Sequence, residues 1–344
     1  MTLTIHSLTP ETKTAWNAFV ENCPEATFFH RAGWKDVIEQ SFGHQTHFIS
    51  AVCDGVIEGV LPLTHIKSRL FGNALISNAF CVGGGPAAST DQARAALVCH
   101  AAELLGKTGA DFLEMRAAAI DGEGWREKSD LYATFARSIE TDEDANLKQI
   151  PRKQRAVVRK ALKAGGLTAE IDDTIDTFYA LYALSVRNLG TPVYGKNFFA
   201  NLKSIFGAHC EILTVRSEGE ALSSVMSFYF RDTVLPYYTG GSVQARRKGA
   251  NDFMYWHVMR RAVERGVTRF DFGRSKKGTG PYSFKKNWGF EPRPIVHSFL
   301  LKPGGDMPNV NPLNPKYRLF INMWQRLPLP VANALGPHIV RNIG

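Results

Sequence analysis

The sequence lacks any run of 18 apolar residues, so nothing in it reads as a membrane-crossing helix. It has no C-x-x-C pair: Cys23, Cys53, Cys81, Cys99 and Cys210 are scattered and odd in number. That pattern argues against a disulfide framework or a zinc site and for a reducing compartment. The stretch MTLTIHSLTPETKTAW lacks the basic and apolar regions of a secretory signal, so a cytoplasmic protein is expected. No G-x-S-x-G elbow, H-E-x-x-H helix or Walker lysine loop occurs, so no protein nucleophile or metal stands out. His44 and His47 are spaced like metal ligands, but no Cys or acid lies near them in sequence, and a loop-strand pair is the expected reading. His65, His100 and His257 stand alone and are expected to be satisfied structurally.

What is present is a globular chain of 344 residues, 44% apolar and 21% charged, with a formal net charge of +9. The length allows two domains. The charge favours an anionic partner, whether phosphates, nucleic acid or a membrane surface. The most informative stretch runs from Tyr237 to Pro292. A strand is expected to end at Tyr237-Tyr238, followed by the pair Gly240-Gly241 and a basic loop, Arg246-Arg247-Lys248-Gly249-Ala250. A helix capped near Asn251 should run to Gly266, and a strand should span 267–272. Gly273 to Lys286 reads as a broken segment. A strand, a basic glycine loop and a helix N-terminus together make an anion cradle. A plain connection with solvated arginines explains the same residues, and Asp252 would compete with any anion there.

Sliding the chain on itself exposes a duplication. Helices ending at Phe42-Gly43 and Phe206-Gly207 lie 164 positions apart, as do the hairpin turns Asp54-Gly55 and Glu218-Gly219. Gly83-Gly84-Gly85 answers to Gly240-Gly241, and a helix at 91–105 answers to one at 251–265. Each half reads helix, hairpin, strand, glycine loop, helix, strand: an α/β chain of two mixed sheets with helices packed on them. The expected divisions are 1–147, a basic connector at 148–166, a second domain at 167–300 and an amphipathic tail at 301–344. The connector carries Lys148, Arg152, Lys153, Arg155, Arg159, Lys160 and Lys163 without an acid. On a helix starting after Pro151, Arg152, Arg155, Arg159 and Lys163 share one face, and Val157, Val158 and Leu162 share another. Such a helix is either a solvated connector or a basic wall for a polyanion between the halves. In the tail, Tyr317, Phe320, Ile321 and Trp324 recur at helical spacing, consistent with packing on the domain or with a membrane interface. Tyr238, at the end of its strand, is a candidate to hydrogen-bond a substrate. Asp271 reads either as a general base or as an ion-pair partner of Arg274.

The half-domain order resembles the GNAT acyltransferase fold, and R-x-x-G-x-N at Arg246 to Asn251 resembles its pyrophosphate loop, with Asn251 where the pattern has Gly or Ala. Two such halves in tandem resemble the FemAB family of aminoacyl- and acyltransferases. FFHRAGWKDVIEQSFGH, IPRKQRAVVRKALKAG, RNLGTPVYGKNFF, YYTGGSVQARRKGAND and FDFGRSKKGTGPYSFKKNWGFEP look specifically like FemAB-like proteins of exosortase/PEP-CTERM exopolysaccharide systems.

The resemblance implies a tandem GNAT-like transferase in which an acceptor amine or hydroxyl attacks the donor carbonyl directly, without a covalent enzyme intermediate. It implies acyl-CoA or aminoacyl-tRNA as co-substrate, with Arg246, Arg247, Lys248, Gly249 and Ala250 at the donor. The acceptor would be a phosphorylated or lipid-linked precursor of the cell envelope, in peptidoglycan or exopolysaccharide synthesis, with peripheral contact to the cytoplasmic membrane. FemAB transferases use a lysine after phenylalanine late in the second domain; here these are Phe284 and Lys285, with Lys285 expected beside the developing negative charge. Arg155, Arg159 and Arg187, with Tyr194, are the expected phosphate ligands. A non-catalytic binder of anionic lipid or RNA, using the connector and tail, is the rival expectation.

Overall fold

The computed structural model describes residues 3–68, 72–308 and 315–343, with the side chains of 315–318 outside the description. The chain opens with β1 (Leu3–Ser7), α1 (Lys13–Asn22) and α2 (Gly33–Phe42). The strands β2 (Gln45–Cys53), β3 (Val56–Ser68), β4 (Gly72–Ser77) and β5 (Ala87–Ala88) follow. Then come α3 (Asp91–Thr108), β6 (Phe112–Arg116) and β7 (Trp125–Lys128). Thr90 starts α3 by accepting a hydrogen bond from the Ala93 amide, and Gly109 ends it at φ 64°.

A second series contains β8 (Tyr132–Ser138), α4 (Glu143–Gln149), α5 (Arg152–Lys163), β9 (Thr168–Asp172), α6 (Asp176–Asn188) and α7 (Lys196–Phe206). It continues with β10 (Cys210–Ser217), β11 (Glu220–Phe230), β12 (Thr233–Gly241), α8 (Val243–Lys248), α9 (Ala250–Glu264), β13 (Arg269–Lys276), α10 (Gly280–Asn287) and β14 (Arg293–Pro294). The chain ends with β15 (His297–Leu301), α11 (Pro315–Arg326) and α12 (Leu329–Val340).

One sheet runs β1-β2-β3-β4-β6-β15-β7, with β5 on β3; the other, taken from its far end, runs β9-β10-β11-β12-β13-β8-β14. The two orders correspond strand for strand. Both hairpin turns have the two left-handed residues of a type I′ turn: Asp54 (φ 47°) and Gly55 (φ 82°), Glu218 (φ 52°) and Gly219 (φ 83°). Both hairpins carry a bulge, at Ala51/Val52 and at Val215/Arg216, again 164 positions apart. In each sheet the parallel neighbours are the fourth strand and the one after the crossover helix, β4 with β6 and β12 with β13.

The unit boundaries differ from those expected. The first unit comprises Met1–Asp130, Ile295–Val310 and Ile339–Gly344; the second comprises Leu131–Pro294 and Asn311–His338. The expected division at 147/148 fails because β8 pairs antiparallel with β13, from Arg269↔Ser138 to Lys276↔Tyr132. The division at 300/301 fails because β15 pairs antiparallel with β6, from His297↔Arg116 to Leu301↔Phe112. Each of these strands covers a ladder edge that would otherwise be open. The connector helix α5 belongs to the second unit, where Val158 and Ala161 join the core. Val157, expected beside them, is 40% exposed instead. Arg265 lies over the Tyr229 ring at 3.7 Å and pairs with Glu211, closing the outer end of α9.

A buried ionic cluster fixes β15 in the first sheet. Glu114 accepts from Arg116 Nε at 3.1 Å and lies 2.9 Å from His297 Nδ1. The adjacent Arg116 and His297 hold its carboxyl down to about 2 against the cost of burial. A carboxylate with a depressed folded pKa stabilises the fold above its unfolded value, and this contribution vanishes as pH falls towards the folded one. It amounts to about 3 kcal/mol at neutral pH. Urea unfolding should therefore show stability falling between about pH 4.5 and pH 2. Glu114→Gln should be less stable at pH 7 and show a shallower acid slope; an unchanged slope would remove Glu114 as its source.

Candidate active site

The parallel strands of the second unit part early. β12 and β13 pair only at Thr233↔Arg269 and Val234↔Phe270. Beyond that point both strands are distorted. The β11–β12 register passes from Pro236 to Tyr238, making Tyr237 a bulge, and the β8–β13 register breaks between Asp271 and Arg274. Bulges bend and twist the strands that carry them, which opens a wedge between these two. In the first unit β4 and β6 stay paired over four positions, Ala74↔Phe112 to Ser77↔Met115. There the chain's own glycine loop closes against the strand ends: the Gly85 amide donates to Arg116 O at 3.1 Å. A methyl group on Gly84 would lie 2.5 Å from Asn78 N, and one on Gly85 would lie 2.4 Å from Ala118 Cβ. Gly83-Gly84-Gly85 is thus a packing device.

Lys285 and Asp271, both singled out in the sequence, both bond the bulged stretch of β13, Lys285 from α10 and Asp271 from within the strand. Lys285 is only 8% exposed. Its Nζ donates to Phe272 O at 2.6 Å, Gly273 O at 3.1 Å and Arg274 O at 3.1 Å. These three carbonyls use every proton of the ammonium, and a neutral amine would leave one of them facing a lone pair. Burial, with a smaller contribution from Arg274, holds the group down at about 7 although Asp271 opposes the shift. The Asp271 carboxylate accepts from the Gly273 amide at 2.7 Å, and burial pushes its pKa up. Both residues therefore stabilise the bulge in β13, and Asp271 takes its place there rather than in a pair with Arg274. The Arg274 guanidinium lies 4.5 Å over the Tyr132 ring. Gly273, at φ 64°, is the left-handed residue the bulge requires.

The segment expected to be broken, Gly273 to Lys286, is ordered: β13 continues to Lys276, and α10 follows with Pro281 in its first turn. Phe284, expected at the substrate, packs with Tyr255, Trp288 and Phe272 at ring distances of 5.4, 6.0 and 6.3 Å. Tyr255 was not marked in the sequence. It is half-buried against the core of the second unit and hydrogen-bonds Thr239, with desolvation pushing it up to about 12.

Tyr238 stands in an aromatic cage on the other face of the sheet, T-shaped against Phe199 at 5.2 Å, Tyr182 at 6.0 Å and Tyr194 at 6.1 Å. Arg187 lies on the same side, donating from Nη1 to Gln325 O at 3.0 Å. Arg155 and Arg159 lie on α5, which packs on α9. Along β11, Val225 and Tyr229 face the α5–α9 core, while Phe228 faces Phe206 and Tyr238. The four residues grouped in the sequence as phosphate ligands are thus split. Arg187 and Tyr194 are on one face and Arg155 and Arg159 on the other.

The basic loop is a helix. Arg246, Arg247 and Lys248 form the last turn of α8, capped at its start by Ser242 and ended by Gly249 at φ 69°. Gly249 also precedes α9, which begins at Ala250, so Asn251 lies inside that helix and does not cap it. Arg246 and Arg247 are exposed, and Lys248 Nζ donates to Ser217 Oγ at 2.9 Å. Asp252 takes donors from the side: Gln154 Nε2 at 2.5 Å and Trp288 Nε1 at 2.9 Å. Along α5, Arg152, Arg155, Arg159, Lys160 and Lys163 line a shallow open hollow floored by Ala156 and Ala164. Elsewhere in this unit Arg260 pairs with Glu143 and Arg261 with Glu211. Burial depresses His44, whose Nε2 lies 2.6 Å from Arg341 O, and His257, whose ring lies 4.2 Å from Phe253.

Comparison with known proteins agrees with this architecture. The family model described as "Acetyltransferase (GNAT) domain" matches residues 150–286. The search of curated proteins finds no match. Among solved structures, FemX has TM-score 0.71 at 18% identity, covering 92% of this chain and 100% of its own. A tandem GNAT protein from the clavulanic acid biosynthesis pathway has TM-score 0.52 at 15% identity, covering 86% of this chain and 98% of its own. The DUF2156 C-terminal domain of a proposed lysylphosphatidylglycerol synthetase from Agrobacterium fabrum has TM-score 0.56 at 12% identity, covering 86% and 92%. Residues 150–286 thus match the acetyltransferase (GNAT) domain model, and the chain shares its fold with FemX and with the tandem GNAT protein.

Proposed function

We propose that the protein transfers an acyl or aminoacyl group from acyl-CoA or aminoacyl-tRNA to an amine or hydroxyl of a phosphorylated or lipid-linked cell-envelope precursor. Peptidoglycan or exopolysaccharide synthesis is the setting. The observation that carries the reading is the parting of β12 from β13 after two paired positions, inside the domain that matches the GNAT family. In the reaction the acceptor lone pair attacks the donor carbonyl carbon, and a tetrahedral oxyanion forms. Its collapse expels the CoA thiolate or the tRNA ribose oxygen, and the acceptor's proton passes to solvent.

A reaction of this kind needs positioning and a polar wall for the oxyanion. The bulged backbone at Tyr237 is suited to supply the wall, since it borders the wedge. Tyr238 and Thr239 hold that strand from its two faces, through the aromatic cage and through Tyr255, and Asp271 and Lys285 hold the opposite one. Arg246, Arg247 and Lys248, with Gly249 and Ala250 at the α8–α9 junction, are assigned to the donor's phosphates. Arg155 and Arg159 on α5 are assigned to acceptor phosphates; Arg187 and Tyr194, on the other face, are assigned to placing α6.

The test supplies purified protein with labelled acyl-CoA or charged tRNA and a phosphorylated or lipid-linked precursor. Label should move to the acceptor, and the pair Arg246→Gln, Arg247→Gln should raise the donor KM more than it lowers kcat. The rival reading, a binder without catalysis, draws on the cationic face of α5. It predicts no transfer from either donor, with RNA or anionic-vesicle affinity falling steeply as salt rises. That result would replace the proposal.

A further inference from the structure

The last helices present a surface that the transfer reaction does not use. From Met307 to Gly344 the sequence contains no Asp or Glu, whereas Lys316, Arg318, Arg326 and Arg341 are all cationic. Helix α11 is fastened to the second unit by one side. A methyl group on Gly190 would lie 2.4 Å from Ile321 Cγ2, Trp324 is 4% exposed, and Gln325 Nε2 donates to Asn188 O at 3.0 Å. Helix α12 is fastened likewise, with Gly336 so close to Val193 that an added methyl would meet its amide nitrogen at 2.7 Å.

The opposite side is apolar and open. Leu319 is 66% exposed, Phe320 39%, Met323 63%, Val331 41% and Leu335 48%. These two short helices hold five of the eleven exposed large apolar side chains among the described residues, so the exposure is concentrated. Leu319, Phe320 and Met323 are neighbours at i, i+1 and i+4, and Arg326 follows one turn beyond Met323 on the same side.

We propose that this outward side of α11 and α12 seats the protein on the surface of an anionic phospholipid bilayer. Apolar side chains on a helix with Arg326 on the same side, in a stretch of sequence that carries cations and no acid, match a layer of anionic headgroups over acyl chains. A second copy fits poorly, because a two-fold contact would set the same cations against one another. RNA fits poorly too, since Leu319 and Met323 offer nothing to a phosphate backbone. No helix among the described residues is long and apolar enough to cross a membrane, so the contact is one of lying on it. Seating of this kind would bring a lipid-linked acceptor to the enzyme by restricting both to a surface, but it does not depend on that acceptor.

Flotation of the full chain with phosphatidylglycerol–phosphatidylcholine vesicles, against pure phosphatidylcholine vesicles, tests it. Binding should require the anionic lipid. The double variant Leu319→Ser, Met323→Ser should lose roughly tenfold or more in vesicle affinity, from the apolar burial forgone. Arg326→Gln should weaken binding less and reduce its salt sensitivity. Val243→Ser, which removes a 68% exposed apolar side chain on α8, serves as the control and should bind like wild type. Far-UV circular dichroism and melting curves establish that each variant folds. The proposal is overturned if wild type fails to float with anionic vesicles, or if the double variant floats equally well. It is likewise overturned if the tail substitutions instead dissolve a dimer seen by light scattering, or abolish RNA binding alone. None of these readouts measures acyl transfer, so they leave the proposed reaction to its own test.

Discussion

Replacing Lys285 with alanine is expected to lower the stability of the second unit by about 3 kcal/mol, and to abolish transfer with it. The side chain is buried, and its three hydrogen bonds go to consecutive carbonyls at Phe272, Gly273 and Arg274. Removing it strands three acceptors and leaves Asp271 without the nearby cation that opposes the cost of its burial. The melting temperature should fall by roughly 10 °C for a unit of this size. A lysine that only faced a developing negative charge would behave differently: its loss would lower kcat and leave the melting curve in place. Lys285→Ala therefore separates the two roles, provided that kinetics are measured at a temperature where the variant is folded. A large fall in kcat with no change in melting would restore the direct electrostatic role expected from the Phe284-Lys285 pair. A variant indistinguishable from wild type in both would remove Lys285 from the site.

What could be read from residues alone was local. Asp54-Gly55 and Glu218-Gly219 announced their turns because only residues tolerant of positive φ serve there, and both turns formed. The helix stops at Gly43 and Gly266 followed from the same preference. The duplicated order was legible because it is written in the spacing of such markers. The exchange of β8 and β15 was not, because strand pairing across more than a hundred residues leaves no trace in a local pattern. Likewise, the run Arg246-Arg247-Lys248 has the composition of a loop. It became a helix because Ser242 caps its start and Gly249 ends it. Lys285 was identifiable as a residue, but its partners were not, since backbone carbonyls at a bulge carry no side-chain signature. The split of Arg187 from Arg155 and Arg159 had the same origin, because the face of a sheet that each helix covers is a tertiary fact.

The Gly240-Gly241 pair shows how a marker can be visible while its reason is hidden. In the sequence it follows a strand and precedes the basic loop that reads as an anion cradle or as a plain connection. In the fold Gly240 is the point where α6 crosses β12: an added methyl group would lie 2.3 Å from Tyr182 N, 2.4 Å from Leu181 C and 2.5 Å from Tyr182 Cα. All three are backbone atoms of a helix and cannot turn aside as a flexible side chain could. Gly240→Ala is accordingly expected to destabilise the protein by about 3 kcal/mol, the upper end for overpacking. The conformational entropy that alanine removes from the unfolded chain returns less than about 1 kcal/mol. Pushing α6 away also moves Tyr182 from Tyr238, loosening the aromatic cage behind the β12 edge of the wedge. Transfer should then fall even at temperatures where the variant stays folded. Gly280→Ala is the matched control, since an added methyl there meets nothing within 4 Å, and its stability should stay within about 0.5 kcal/mol of wild type. Equal denaturation midpoints for Gly240→Ala and Gly280→Ala would mean that α6 is free to shift. The close crossing would then not be what sets the width of the wedge.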